Sequence, residues 1–274
     1  MIVIVQKERQ FKNTIWAYYK KHGRHDLPWR KTKDPYKILV SEVMLQQTQV
    51  GRVISKYNIF IKKFPTFQSL AKARAREVLR AWQGLGYNRR ALYLRETAEI
   101  VTKKYNGKLL KDLSKLVELP GIGTNTAAAV CVYSFNLPIA FIETNIRRIF
   151  IHFFFSKTRR KIDDSEILKL VEKTMDQKNP REWFSALMDY GTYLKGEVEN
   201  PNRKSKHYVK QSKFEGSDRQ LRGEILRLLL KNSSISKRKI FAELGEKKER
   251  IEKILKTLIK DGFILQNKGK IKLV

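Results

Sequence analysis

One stretch constrains the fold more than any other: Leu119-Pro-Gly-Ile-Gly-Thr-Asn-Thr-Ala-Ala-Ala-Val130. Before it, the apolar positions within 112–119 have the spacing of a short amphipathic helix. Pro120 cannot continue that helix, and an alanine-rich helix begins at Thr124. The sequence therefore predicts a helix, a tight glycine hairpin and a second helix.

This hairpin is suited to binding a phosphate. Gly121 and Gly123 are expected to adopt backbone conformations that other residues avoid. Without side chains, they let backbone N–H groups approach an anion, and the dipole of the helix that starts at Thr124 favours negative charge. An ordinary turn between packed helices is the alternative on these residues alone.

The charge of the chain indicates the kind of partner. Its 58 Lys and Arg against 27 Asp and Glu give a net charge of +31, far more than solubility requires. Such an excess implies a polyanion, with nucleic acid as the default. An anionic membrane surface is the competing partner, but no apolar run approaches spanning length and no amphipathic basic helix is appended. We therefore expect nucleic acid and no membrane.

Cysteine usage and the N-terminus indicate the compartment. The single cysteine, Cys131, excludes an internal disulfide and a four-cysteine metal or iron–sulfur site. The apolar start, 1–5, is too short for a signal peptide. We expect a reducing, cytoplasmic location.

Hydrophobic periodicity predicts an all-α body over the first two hundred residues. Strand-like alternation does not extend beyond a few residues there. The helices are predicted at 8–23, 35–50, 51–63, 66–72, 75–83, 89–105, 146–156, 163–176 and 180–195.

The periodicity disappears at 197–214, where basic residues alternate with Tyr208 and Phe214. This segment is either a clamp along a phosphate backbone or a plain tether. From 219 onward, three helices and a β-hairpin are predicted, the pattern of a winged helix-turn-helix. Its lysine-rich third helix suits a DNA groove or its phosphates, with a basic solvated face on a protein-interaction domain as the alternative.

Glu42 is the only acidic residue between Pro35 and Asn58. In a helix that is otherwise apolar or amide-bearing, a desolvated carboxyl would have a raised pKa and could donate a proton near neutral pH. A structural carboxylate with access to solvent is the alternative.

Several segments occur in a telling order: Leu27-Pro-Trp-Arg30, Asp34-Pro-Tyr36, Ser41-Glu-Val-Met-Leu-Gln-Gln-Thr48, Gly84-Leu-Gly-Tyr87, Leu119-Pro-Gly-Ile-Gly123 and Glu143-Thr-Asn145. From about residue 8 to 195, they resemble the helix–hairpin–helix (HhH-GPD) DNA glycosylases, and most closely the MutY-type adenine glycosylases. The resemblance implies an all-α, two-lobed fold that grips duplex DNA and flips the target nucleotide into a cleft.

The expected domains are a glycosylase body at 1–196, a basic linker at 197–218 that replaces the family's cluster loop, and a winged helix-turn-helix at 219–274. Within the body, one lobe covers about 31–138. The other lobe combines 1–30 with 139–196.

The resemblance also implies roles for individual residues. Glu42 matches the glutamate that protonates N7 of adenine, and Glu143 stands where the family has an aspartate that stabilises the sugar cation. Asn145 matches an asparagine beside that carboxylate. Base-pocket positions are Trp29, Arg30, Leu45, Val50, Asn125 and Asp189, and DNA-contacting positions are Gln47, Thr48, Leu85, Tyr87, Gly121, Gly123, Thr124, Arg203, Lys204 and Lys206.

Four departures from the family pattern qualify these implications. Glu143 is longer by a methylene than the usual aspartate. Asn125 stands where bifunctional relatives have a Schiff-base lysine, so no β-lyase activity is expected. The four cluster cysteines after the Asp189 helix are absent, and the winged helix replaces the domain that reads 8-oxoguanine.

The sequence thus predicts a monomeric, monofunctional DNA glycosylase that removes adenine opposite 8-oxoguanine or guanine from duplex DNA. We expect it to need no cofactor. The one ion that the sequence leaves open is a monovalent cation at the hairpin. Thymine or uracil opposite guanine is the alternative substrate. A catalytically silent sensor of DNA lesions or structure is the alternative of another class.

Overall fold

A computed structural model describes residues 2–267 and 269–274 of the chain. They form two compact units, each built from two segments. The first unit combines Met1–Gln47 with Lys103–Val209, and the second combines Thr48–Thr102 with Lys210–Val274.

The described elements are α1 (Ile2–His22), a 3-10 turn (Pro28–Arg30), α2 (Pro35–Leu45), α3 (Val50–Lys63), α4 (Phe67–Lys72), α5 (Ala75–Ala81), α6 (Arg89–Tyr105), α7 (Leu113–Val117), α8 (Thr124–Phe135), α9 (Thr144–Phe155), α10 (Asp164–Thr174), α11 (Pro180–Glu197), a second 3-10 turn (Pro201–Lys204), α12 (Asp218–Lys231), β1 (Ile235–Ser236), α13 (Lys237–Leu244), α14 (Lys248–Lys260), β2 (Ile264–Asn267) and β3 (Lys270–Leu273). The all-α body is therefore confirmed. The first helix begins six residues earlier than its periodicity predicts, and Met1 lies outside the described residues. Among the described helices, none combines the length and the apolar character needed to cross a membrane.

The start of α2 follows directly from its sequence. The Asp34 side chain accepts hydrogen bonds from the backbone N–H groups of Tyr36 and Lys37, and Pro35 occupies the first turn. An aspartate N-cap followed by proline satisfies donors that have no partner within the helix. This start fixes the position of Glu42 two turns further along α2.

The first unit is held together by an aromatic core that α1, α9 and α11 share. The ring of Phe11 lies 5.1 Å from that of Phe150 and 6.0 Å from that of Trp183. Phe141, just before α9, stacks on Phe184 of α11 at 4.4 Å. Burying rings of this size is a large hydrophobic contribution, and it keeps the first turn of α9 beside α11.

The second unit contains the predicted winged helix-turn-helix. Its three-stranded antiparallel sheet has the order β1-β3-β2, and its elements follow one another as helix, strand, helix, helix and hairpin. Ile251, Ile254, Leu255 and Leu258 form the buried stripe of α14, as the sequence pattern predicts. Lys268 lies outside the described residues.

The first part of the expected linker is folded onto the first unit. The backbone N–H of Ile162 donates to the Lys204 carbonyl at 2.8 Å, and the N–H of Lys206 donates to the Ile162 carbonyl at 2.9 Å. The buried Asn202 side chain donates to the Thr144 carbonyl at 3.1 Å. Lack of periodicity hid this structure, because its hydrogen bonds reach residues far away in the sequence.

Candidate active site

Glu42 lies in the interior of α2, between fully buried neighbours such as Ser41 and Met44. The residue as a whole is of intermediate exposure. Burial is the main cause that raises the pKa of Glu42 to about 8, the negative charge of Glu143 adds to it, and the Arg30 guanidinium opposes it. At pH 7, Glu42 is therefore mostly a neutral acid that can donate a proton.

Glu143 has a different environment, because it is the N-cap of α9. One carboxylate oxygen accepts hydrogen bonds from the backbone N–H groups of Asn145, at 2.5 Å, and Ile146, at 2.9 Å. Burial raises the pKa of Glu143, while these two donors and the charges of Arg148 and Arg147 oppose the increase. The helix N-terminus thus favours the anion here, as an N-cap does.

Asn145 is fixed beside Glu143 by two residues that the sequence analysis did not single out. Its side-chain oxygen accepts a hydrogen bond from Arg148 Nη1 at 2.6 Å, and the same Nη1 donates to the Gly191 carbonyl at 2.7 Å. A Cβ on Gly191 would lie 2.6 Å from Cβ of Asn145, so only glycine lets α11 approach the start of α9 this closely. A glycine inside a helical pattern was the available signal.

The structure shows the partners of Asp189, and its expected place in the base pocket stays a prediction. Its side chain is 1 % exposed and lies between two arginines. Arg30 donates to both carboxylate oxygens, at 2.6 and 2.8 Å, and Arg24 donates from Nε at 2.6 Å and from its backbone N–H at 2.8 Å. Although burial raises the pKa of Asp189, the hydrogen bonds and charges of these arginines bring it below its ordinary value. Asp189 therefore anchors Arg30.

Three further side chains of the first unit differ in burial and in their link to the two glutamates. Trp29 is buried on the 3-10 turn, and Leu45 ends α2 with partial exposure. Tyr133 of α8 was missed by the sequence analysis. Burial first, and then the charge of Glu42, raises the pKa of its hydroxyl well above the ordinary value, so Tyr133 stays protonated. Its position two helical turns after Asn125, on the same side of α8, was the signal.

The hairpin between α7 and α8 is confirmed, with one correction. Gly121 has φ of +72°, but Gly123 has φ of −83° and is the N-cap of α8. Gly123 therefore does not need glycine's conformational freedom, although its lack of a side chain leaves the backbone approachable. Thr124 and Asn125 are exposed at the start of α8. Gln47, after α2, is also exposed, with φ of 53°.

In the second unit, the expected DNA-contacting residues differ in exposure. Tyr87 is 40 % exposed on the loop between α5 and α6, whereas Leu85 is 3 % exposed and belongs to the core of that unit. The side chain of Leu85 is therefore not presented to solvent, and its expected place near the opposite base stays a prediction. Thr48 donates to the Leu85 carbonyl at 3.4 Å, and Val50 begins α3 with partial exposure.

The three basic residues expected to bind phosphate all have partners within the first unit. Arg203 pairs with Glu199, and Lys206 lies 3.4 Å from an Asp163 oxygen. Lys204 donates to the carbonyls of Ser156 and Thr158. These contacts hold the segment against the first unit, and none of them tests whether the three side chains bind phosphate. The phosphate clamp therefore stays a prediction.

The residues present do not fit an iron–sulfur cluster, which needs four ligands of the cysteine type. The one cysteine, Cys131, is buried within α8, and burial raises the pKa of its thiol to about 11. Within residues 2–267 and 269–274, no three His, Cys, Asp or Glu side chains are grouped as a metal site requires. The monovalent cation at the hairpin stays a prediction.

Comparison with known proteins identifies the family. Residues 40–176, half of the chain, match the HhH-GPD superfamily of base excision DNA repair proteins. The chain belongs to this family.

Its curated relatives include adenine DNA glycosylases. That of Buchnera aphidicola (strain Bp) is 36 % identical over 67 % of this chain and 52 % of its own length, and that of Mycolicibacterium smegmatis is 43 % identical over 47 % and 44 %. The chain thus spans about half the length of these relatives. A thymine/uracil-DNA glycosylase of Methanothermobacter thermautotrophicus is 29 % identical over 69 % of this chain and 86 % of its own length.

Solved structures confirm the helix–hairpin–helix glycosylase fold. A thermostable thymine-DNA glycosylase has a TM-score of 0.65 and 26 % identity, covering 74 % of this chain and 94 % of its own. A trapped covalent intermediate of endonuclease III with DNA has a TM-score of 0.60 at 20 % identity, covering 69 % and 86 %.

Proposed function

We propose that this protein is a monofunctional adenine DNA glycosylase, which removes adenine paired with 8-oxoguanine or guanine from duplex DNA. The observation that carries the proposal is the contrast between its two glutamates. Burial raises the pKa of both carboxyls, to about 8 at Glu42, but only Glu143 also accepts hydrogen bonds from the N-terminus of α9, which favour its anion. The adenine glycosylases among its relatives support the choice of base.

The reaction needs one neutral acid and one anion. Glu42 donates its proton to N7 of adenine, so that the bond between C1′ and N9 breaks with its electrons leaving on the base. Glu143 stabilises the positive charge that develops on the sugar. Water then adds to C1′ and loses a proton to the ionised Glu42, which leaves an abasic site and a neutral acid.

Hydrolysis without strand cleavage follows from the residue at the start of α8. Asn125, which carries an amide, cannot form the Schiff base on which a β-lyase depends. Its side-chain oxygen lies 3.4 Å from the backbone N of Ile142, just before Glu143. We therefore expect an intact abasic strand as the product.

Thymine or uracil opposite guanine is the second candidate substrate. The thymine/uracil glycosylase relative matches over 86 % of its length, against about half for the adenine glycosylases. Its similarity therefore reaches most of a whole protein, although its identity is lower.

Single-turnover excision on a panel of duplexes tests these assignments. The panel contains A·8-oxoG, A·G, T·G, U·G and hypoxanthine·T, with alkali used to reveal abasic sites. Cleavage confined to adenine strands supports the proposal, and cleavage of T·G or U·G alone replaces it by the second candidate. No cleavage of any duplex, together with tight binding, indicates a silent sensor.

Partners and location follow from the proposed substrate. The net charge of +31 suits a duplex with a mispair. We propose that the protein acts as a monomer on chromosomal DNA, at the nucleoid in the cytoplasm. Sedimentation with and without a short mispaired duplex checks the stoichiometry.

A further inference from the structure

Tyr87 stands out among the exposed aromatic residues because its conformation is costly. Tyr87 ends the loop Gly84-Leu-Gly-Tyr87 with φ of 45°, a backbone angle that residues other than glycine and asparagine rarely adopt. A strained exposed residue persists only where its surroundings determine it. The contacts of Tyr87 show which parts of the chain do so.

Arg90 fixes the backbone and one face of the ring. Its guanidinium lies 5.5 Å from the centroid of the Tyr87 ring and 5.4 Å from that of Trp82. Arg90 also donates to the carbonyls of Gly86, at 3.1 Å, and Tyr87, at 3.4 Å. These contacts come from the helix that follows the loop, within the part of the chain that matches the family model.

The hydroxyl of Tyr87 is held by a different part of the chain. It accepts hydrogen bonds from the side-chain amide of Gln211 and from Arg219 Nη1, the latter at 3.1 Å. Arg219 is in turn oriented by the carbonyl of Ser212, to which its Nη2 donates at 2.8 Å. Gln211 and Arg219 lie beyond residues 40–176, at the entry to the winged helix-turn-helix.

The C-terminal part of the second unit is also fixed to α5 and α6. Arg76 donates to the carbonyls of Leu230 and Asn232, at 3.0 and 3.1 Å, and Arg89 pairs with Asp261. Arg219 therefore reaches Tyr87 from a segment that is itself held in place. A fixed donor can orient the tyrosine, since it does not move freely with the ring.

A ring that enters a duplex is more effective when it is oriented beforehand. Ordering a free side chain on binding costs conformational entropy, and a side chain that is already held avoids much of this cost. An aromatic side chain that enters a duplex must separate stacked bases. The free energy needed to separate them is smallest at a step that opens easily, such as a mispair. Orientation of Tyr87 should therefore increase discrimination between mispaired and matched duplexes.

We propose that Gln211 and Arg219 are positioning residues that hold the Tyr87 ring ready to enter DNA, so that the segment 210–219 takes part in mispair recognition. This inference rests on the proposed function, because it takes Tyr87 to be the residue that enters the duplex.

A double-mutant cycle tests the inference. Binding of A·8-oxoG and matched duplexes is measured for Arg219→Ala, Tyr87→Phe and the double variant, all in a Glu42→Gln background that prevents excision. Arg227→Ala is the matched control. Arg227 is exposed on the same helix, α12, and its substitution removes the same charge as Arg219→Ala does. Circular dichroism verifies the fold of each variant.

We expect Arg219→Ala to weaken mispair binding by about 5- to 10-fold more than Arg227→Ala does. The two variants should weaken matched-duplex binding equally. In the Tyr87→Phe background, which keeps the ring but lacks the hydroxyl, Arg219→Ala should have no effect beyond that of the control.

Two results would overturn the inference alone. One is an equal effect of Arg219→Ala and Arg227→Ala on the mispair while the unsubstituted protein discriminates strongly. The other is tighter mispair binding by Arg219→Ala, which would mean that the contact restrains Tyr87 from entering DNA. Absence of any mispair preference in the protein itself would instead refute the proposed function, and the inference with it.

Discussion

Glu42 and Glu143 are both glutamates, but they lie in two different local environments. Glu42 lies in the middle of α2, where every backbone N–H already serves the helix, so burial acts on its carboxyl without opposition from a backbone donor. Glu143 precedes α9, where two unused N–H groups point at its carboxylate. Position relative to a helix therefore separates an acid from an anion more effectively than residue type does.

The largest effect is expected from removing the acid. Glu42→Gln keeps the shape of the side chain but cannot donate the proton, so single-turnover excision should fall by about 100- to 10,000-fold. Duplex binding should be unchanged. Equal excision by the variant and the parent would break the comparison, because Glu42 would then have no role as the acid.

The buried carboxylate of Asp189 is expected to stabilise the fold through Arg30 and Arg24. Asp189→Asn leaves Arg30 and Arg24 without their buried carboxylate, which should lower the free energy of unfolding by about 3–5 kcal/mol. Urea denaturation at pH 7 measures this change. A loss below 1 kcal/mol would show that the arginines find other partners or water.

Removing the anion should have a smaller effect on rate. Glu143→Gln loses the negative charge but keeps an oxygen that can accept from the start of α9, so excision should fall by about 100-fold with little change in stability. Glu143→Asp, the matched control, should retain most of the activity because aspartate is also a favourable N-cap. Full activity in Glu143→Gln would contradict the assigned role.

The smallest effect concerns pH. Excision should decline as pH rises through about 8, since Glu42 then loses its proton. The charge of Glu143 contributes to the raised pKa of Glu42, so Glu143→Gln should move this decline to lower pH. A rate that stays constant from pH 6 to 10 would remove Glu42 from the proton transfer.

The raised pKa of Glu42 also makes the free energy of unfolding depend on pH. This dependence is opposite in sign to that of an ordinary ion-paired glutamate. Folded Glu42 binds its proton more tightly than the unfolded chain does, so its contribution is most favourable below pH 4.5 and is lost as pH rises to about 8. Glu42→Gln should therefore stabilise the protein at pH 9, by up to about 4 kcal/mol, and change little at pH 4. Thermal denaturation at the two pH values measures this.

Sequence reasoning succeeded where local chemistry decides the structure. The proline and glycine of the hairpin, the Asp34 cap and the apolar stripe of α14 all act within a few residues. They predicted the helical body, the winged helix and the position of Glu42 without any knowledge of the tertiary contacts.

Sequence reasoning missed features that depend on distant partners. Nothing near Asp189 in the sequence shows that Arg24 and Arg30 enclose it, and nothing near 197–206 shows its pairing with Ile162. Gly191 and Arg148 position Asn145 only because α9 and α11 touch. The burial of Leu85 was also not foreseen, because the exposure of a loop residue cannot be inferred from the motif of the loop.

The ionisation of Glu42 is the most direct test of this account. Its side-chain carboxyl carbon can be followed by ¹³C NMR through a pH titration, and Glu42→Gln identifies the signal by its loss. The account predicts a midpoint near pH 8 for Glu42 in the free protein. A midpoint between about 4 and 5, the range of an ordinary glutamate, would contradict the claim that burial keeps this acid neutral.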